Sequence, residues 1–400
     1  MEDIVIVEPA FFSQFRCVGS DCIDHCCKGW DIEIDKSTVQ RYMQSDELKI
    51  RQIAVKDITI TEKKPDSWGR INLTSSGNCA FLDEERLCKV HKHLGEKALS
   101  TTCALYPRIY SIYKYEIRSN LTLSCPEATK RLLLTPQAML YSEKVKQSPQ
   151  VMEGPDILQE DRLLNLMSTN IMSSCGMNIE EGFYGIIMLL LFRDEQDESD
   201  LQYENLLTYF EEVQTSIGNG QIRKNIDALH SDYQLQSSLL MQLQQYLSTK
   251  NEGRGSSVLR HYSQALIDLK SSISVENEYI SPVQQLNKIW QEKALPWLQQ
   301  RPYLLSNFIQ YKMYEEFFPV KNGTDPFTST YALVSEWLLL KWLIAISFET
   351  NNNFNEDDII NIIYSYHSIT KHDKHAADMF LSEIQKIILR NNSSLLYFLK

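Results

Sequence analysis

Eight of the nine cysteines in this 400-residue chain fall between Cys17 and Cys125. They read Cys17-x4-Cys22-x3-Cys26-Cys27, then Cys79-x8-Cys88-x14-Cys103, then Cys125-Pro126, and the remainder of the chain holds only Cys175. Soft thiolate sulfur suits zinc or iron–sulfur clusters, and four sulfurs complete a tetrahedral zinc site or hold a 4Fe-4S cluster. The first third of the chain is therefore expected to wrap a metal. Disulfides are the lesser alternative: the N-terminus Met1-Glu2-Asp3 is acidic where a signal peptide is basic, and a reducing cytoplasmic location is expected. A chain this long can bury a core without covalent staples.

The vicinal Cys26-Cys27 pair constrains the site further. In an extended segment neighbouring side chains point to opposite faces, so the two sulfurs would serve different sites, or one would be spare. Eight thiols allow two four-thiolate sites, or one cluster with extra structural thiols. His25, His91 and His93 lie within the same region and are additional candidate ligands. The spacing points to metal and leaves iron–sulfur and zinc both open.

The pattern changes downstream. Strand-like Ile4-Val7, a helix over 36–48, strands over 53–61 and 70–74 around the Pro65-Asp66 turn, a helix or loop–helix over 87–99, a hairpin over 109–123 and a short helix after Pro126 give an α+β module over 1–135. Residues 136–156 are polar with prolines at 136, 149 and 155, and read as a linker. From 157 to 400 apolar residues recur at helical spacing, with helices expected over 157–174, 179–193, 200–216, 220–248, 256–271, 281–298, 301–317, 328–349, 356–368 and 373–397. Gly218-Asn219-Gly220 and Gly253-Arg254-Gly255 punctuate them. The fold class is mainly α: a cysteine-rich α+β cluster-binding module followed by an all-α helical domain.

Charge and motif content narrow the function. A net charge of −12 argues against a general nucleic-acid binder. The apolar stretch 331–348 contains Glu336 and Lys341 and reads as a buried or amphipathic helix, so no transmembrane segment is expected; peripheral membrane association and oligomerisation stay open. No strand–glycine turn–helix unit of a Rossmann nucleotide site is present, nor a P-loop, a Gly-x-Ser-x-Gly elbow or a metalloprotease motif. His372-x2-His375 and the acidic run Asp194–Asp200 read as solvated surface, and Cys175 as a buried small hydrophobe.

The residues Glu8-Pro9-Ala10-Phe11, Phe15-Arg16-Cys17-Val18-Gly19-Ser20-Asp21-Cys22 and His25-Cys26-Cys27-Lys28-Gly29-Trp30 resemble the bacterial flagellin lysine-N-methylases. Cys79-Ala80-Phe81-Leu82-Asp83, Leu87-Cys88 and Cys103-Ala104-Leu105-Tyr106-Pro107-Arg108 are similar to the wider cysteine-rich zinc- or iron-chelating modules. The resemblance covers roughly 8–127. It implies a protein-lysine N-methyltransferase that moves methyl groups from S-adenosylmethionine (SAM) to flagellin lysines, with a 4Fe-4S cluster held from the pool Cys17, Cys22, Cys26, Cys27, Cys79, Cys88, Cys103 and Cys125. It assigns no catalytic base and no SAM-binding residue. Trp30, beside the cysteines, is a candidate to hold the sulfonium by cation–π contact, or else a core residue. Two rival readings differ in class: a non-enzymatic zinc-binding adaptor, and a cluster-bearing electron carrier.

Overall fold

The computed structural model describes residues 1–400 apart from 31, 197–202, 270–272, 276–277, 321–322 and 373–374. Residues 197–200 of the acidic run and the His372 side chain lie outside the described residues. Seven strands precede the helical region: β1 (Glu2–Pro9), β2 (Ile32–Ile34), β3 (Ile58–Lys64), β4 (Ser67–Ile71), β5 (Arg108–Ile112), β6 (Glu116–Leu121) and β7 (Tyr141–Ser148). They form two separate sheets. The larger has the order β5-β6-β1-β7, with β1 parallel to β6 and antiparallel to β7. The smaller is antiparallel, in the order β2-β4-β3.

Each sheet belongs to a different core. Ile32, Ile34, Ile58 and Ile71 of the small sheet bury against Val39, Tyr42, Ile50, Phe81 and Val90, a compact body built entirely from the cysteine-rich stretch. Val7 of β1, with Phe11, Phe15, Leu121 and Leu123, instead joins the large core of the C-terminal helices. The first fifteen residues are thus packed with the far end of the chain. Phe11 meets Tyr311 edge-to-face at 6.1 Å, and the Tyr314 hydroxyl donates to the carbonyls of Val7 (3.0 Å) and Ser119 (3.2 Å).

The hairpin β5–β6 and the helix Pro126–Leu134 form where the sequence places them. Residues 136–156 differ from the expected linker: Tyr141–Ser148 pairs along its whole length with β1. Its side chains are mostly solvated, so its polar composition masked a strand held by main-chain bonds. Leu48–Asp57 is a helix that overruns the strand expected from residue 53, because Ile50, Ile53 and Ala54 share one helical face.

Downstream, the helices fall close to their expected places with three internal breaks. The 220–248 segment divides at Asp232, which caps a second helix by accepting from the Leu235 N–H. The 281–298 segment passes through a π turn at Trp290–Ala294 just before Pro296, whose missing N–H cannot continue an α-helical ladder. The 373–397 segment splits into Ala376–Ile384 and a 3-10 turn, Asn392–Phe398, opened by an Asn391–Ser394 capping box. Pro326–Thr350 is apolar and long enough to cross a membrane, yet 89% of its apolar window is buried among its neighbours. It is the central core helix, with Trp337 and Trp342 each 1% exposed.

Phe11→Ala tests the joining of the two chain ends. It is expected to cost about 3–5 kcal/mol in urea unfolding, as for other buried aromatic truncations, and to free the N-terminal strand to proteolysis before the helices.

Candidate active site at the junction of the cysteine-rich body and the helices

Short turns and helix starts position the thiols. Cys22 follows the 3-10 turn Gly19–Asp21, and Cys26 and Cys27 occupy a bend. The Cys79 N–H donates to the Cys27 carbonyl at 2.8 Å, which ties the second run of cysteines to the first. Cys88 and Cys125 sit immediately before helices Lys89–Leu94 and Pro126–Leu134, and Cys103 lies in the first turn of Thr101–Leu105, which Ser100 caps. Free N–H groups at such helix starts favour thiolate.

The sulfurs form two neighbourhoods. Cys26, Cys27, Cys79, Cys88 and Cys103 feel one another's charge, while Cys125 faces Cys22, which also feels Cys17 and Cys26. Burial pushes Cys79 and Cys125 up to about 12 and Cys103 up to about 11, and repulsion from neighbouring sulfurs adds to it. Cys26 is the exception. A hydrogen bond from the Cys27 thiol lowers it against the penalty of burial, the Arg254 guanidinium lowers it further, and Cys27 is pushed up in exchange. The two thiols therefore act on one another's ionisation, where an extended segment would turn them to opposite faces: the backbone bends at this pair.

All nine cysteines are unbridged, and among the described residues no group of three or more His, Cys, Asp or Glu side chains already stands at metal-ligand spacing. The donor chemistry nevertheless fits a thiophilic cation. Five partly or fully buried thiols that oppose one another's ionisation are relieved by a positive charge among them. His91 and His93 are solvent-exposed on Lys89–Leu94, whereas the Nδ1 of His25 is buried with no hydrogen-bond partner among the described residues.

Arg254 dominates the electrostatics. Its side chain is 1% exposed and its partner Asp24 is 5% exposed. The guanidinium donates to Asp24 Oδ2 (3.2 Å), to the Asp24 carbonyl (2.6 Å) and to the Tyr106 hydroxyl (2.6 Å), so one helical-region loop grips two segments of the cysteine-rich body. Tyr106 in turn reaches Ser124 Oγ at 3.1 Å, next to Cys125, and burial raises its phenol well above the ordinary range. The glycines make the approach feasible. Gly29 and Gly255 both have positive φ; a Cβ on Gly29 would stand 3.1 Å from Arg254 backbone atoms, and one on Gly255 would stand 3.1 Å from Ser365 Cα. The triplet Gly253-Arg254-Gly255, read from sequence as punctuation, is a clamp. Its one signal was an arginine between two glycines.

Beside the clamp lies a cleft of about 1260 Å³. The cysteine-rich side contributes Lys28, Trp30, Glu33 and Thr102; the helical side contributes residues 249–255 together with Ser368 and Lys371. Trp30 is half-buried and stands at the edge of this cleft. Its ring lines the cleft and tilts against Tyr106 at 6.0 Å, while its Nε1 donates to the Cys26 carbonyl at 2.6 Å. The indole thus links the backbone of Cys26 to the cleft.

Residues 165–398 match the family described as the FliB lysine N-methylase C-terminal domain. The Lysine-N-methylase of Salmonella typhimurium is 34% identical over 404 aligned residues, covering 100% of both chains, and that of Salmonella choleraesuis is equally similar. This chain belongs to the FliB-type lysine N-methylase family. The flagellar biosynthetic protein FliU of Salmonella muenchen is 51% identical over 145 residues, which span 36% of this chain and 86% of that protein. No solved structure matches the chain. Within this methylase framework the family match falls on the helical region, which supplies Arg254 and Lys371, so both walls of the cleft lie within the full-length similarity.

Two outcomes test this geometry. In metal-free protein at pH 8, iodoacetamide is expected to label exposed Cys17 and thiolate-prone Cys26 well before Cys79, Cys103, Cys125 and Cys175, as read by peptide mass spectrometry; equal rates would contradict the described pattern of thiol burial and ionisation. Arg254→Met leaves Asp24 with the more exposed Lys28, 2.6 Å from its Oδ1, in place of the guanidinium, and is expected to cost about 3 kcal/mol, with Asp24→Asn in the same chain recovering part of the loss.

Proposed function

We propose that this protein is a SAM-dependent protein-lysine N-methyltransferase acting on flagellin lysine ε-amines in the cytoplasm, and that the Trp30–Arg254 cleft is where the methyl group moves. The observation that carries the reading is the position of Trp30. It is an aromatic face at the wall of a cleft of about 1260 Å³, anchored by its ring nitrogen to the backbone of the cysteine site.

The reaction's demands match the lining. SAM brings a sulfonium, which an indole face attracts, and a carboxylate, which Lys28 or Lys250 can meet. The acceptor lysine enters as an ammonium with an ordinary pKa of about 10.4. Glu33 and Glu252 line the cleft and make its field attractive to that cation. The ammonium must then lose a proton before its nitrogen lone pair attacks the methyl carbon; the carbon–sulfur bond breaks, the electron pair stays on sulfur, and S-adenosylhomocysteine leaves. A half-enclosed site favours this step, because desolvation disfavours the charged amine.

Cys26, Cys27, Cys79, Cys88 and Cys103 are the residues that would hold a 4Fe-4S cluster, four of the five as ligands. Cys17, Cys22 and Cys125 form the adjoining group beside Arg254. When bound, such a cluster supplies redox-active iron and a cross-link that ties the cysteine loops together.

The test is anaerobic purification followed by incubation with SAM and flagellin. About four irons and four sulfides per chain are expected, together with lysine-specific methyl additions in the flagellin mass spectrum. Cys79→Ser or Cys103→Ser is expected to remove the iron and abolish transfer. Zinc in place of iron, with no methyl added to flagellin, would overturn the reading in favour of a zinc-binding adaptor.

A further inference from the structure

The helical wall of the cleft contains a lysine on a buried carboxylate. Lys371, near the end of the helix Glu356–His372, lines the cleft, and its Nζ lies 2.9 Å from Glu315 Oε1. The lysine side chain is 38% exposed and the glutamate 5%. The Tyr311 hydroxyl donates to the same oxygen at 3.1 Å, and among the described residues Glu315 Oε2 is buried with no hydrogen-bond partner. Burial opposes the charge on Glu315, yet Lys371, His367 and Lys312 hold the carboxyl well below its ordinary range. Lys312 itself is engaged by Glu316 at 3.0 Å and Glu336 at 3.1 Å, so Lys371 is the cation paired directly with Glu315.

This pair differs in kind from the Arg254 clamp. The guanidinium is a rigid fork on three acceptors and is almost fully enclosed. The Lys371 ammonium sits on a flexible stem, is partly open to the cleft and meets one of two carboxylate oxygens. A buried carboxylate needs a cation, but it does not need this one. The acceptor in the proposed reaction presents the same chemical group on the same four-carbon stem.

We propose that Glu315 is the ammonium-binding residue for the acceptor lysine, and that Lys371 is its resident occupant, displaced when a substrate lysine enters. The assignment rests on the methyl-transfer reading for the identity of the ligand. It deepens that reading by naming an internal competitor for the substrate: the site is charge-balanced when empty, and only a lysine-like cation replaces Lys371 without stranding Glu315.

The probe is n-butylammonium, the lysine side chain without its backbone, compared with sodium chloride at equal ionic strength on the full-length protein. Lys371→Met keeps the stem and removes the charge. Butylammonium is expected to raise the Tm of K371M clearly more than that of the wild type, and E315Q in the K371M background is expected to abolish the difference. Equal responses of K371M and the double variant would overturn the proposal. Should K371M fail to fold, the wild type supplies a second readout, the rate at which Lys371 is acetylated by an amine-reactive ester. With the ester in excess, flagellin with free lysines is expected to speed that labelling relative to flagellin whose lysines are acetylated and so uncharged; an unchanged rate would overturn the proposal. Neither readout requires methyl transfer, so failure here is distinguishable from failure of the proposed reaction.

Discussion

One buried guanidinium holds the functional half of this molecule together. Arg254 comes from a loop of the helical region, and its hydrogen bonds end on Asp24 and Tyr106 of the cysteine-rich body. Removing an arginine and an aspartate from water is expensive, and their attraction offsets that cost only when every donor and acceptor is well placed. The interaction therefore contributes specificity of docking more than raw stability. It fixes which face of the cysteine body meets the helices, and so fixes the cleft between them. The positive φ of Gly29 and Gly255 lets the backbones come close enough for that contact.

The same charge acts on the thiols. Arg254 favours the ionised form of Cys22, Cys26 and Cys125, while burial and mutual repulsion disfavour it across the site. A helical-region residue thus helps set the electrostatics of a site whose sulfurs all come from the first third of the chain. Through Tyr106, Ser124 and the Ser368 hydroxyl that donates to the Ser124 carbonyl at 3.3 Å, the polar contacts continue into the helix carrying Lys371. The cleft, the thiols and the buried carboxylate of Glu315 are consequently parts of one connected region.

Much of this architecture was legible in the sequence because it rests on local rules. Apolar spacing located the C-terminal helices, and alternation located the β5–β6 hairpin. Features set by tertiary contact were not legible. Strand β7 looks like a linker because its side chains are solvated and its stability lies in backbone pairing with β1. The pairing of Cys26 with Cys27 depends on a bend that composition does not announce. Arg254 was hidden for a similar reason: an arginine between glycines in a loop reads as surface until its partners, Asp24 and Tyr106, are seen to be far away in sequence and adjacent in space. The cysteine pool was visible at once, but its division into two neighbourhoods required the fold.

In the proposed reaction the methyl donor sits between the cysteine body and the helices, against Trp30. Ultraviolet cross-linking of radiolabelled SAM to the anaerobically purified protein, followed by peptide mapping, tests it most directly. Label is expected on the peptide containing Trp30 or on the 249–255 loop, with loss of that label when excess S-adenosylhomocysteine is present. Competable label confined to another surface, such as the groove formed by Leu140, Tyr141, Tyr303 and Gln310, would contradict it.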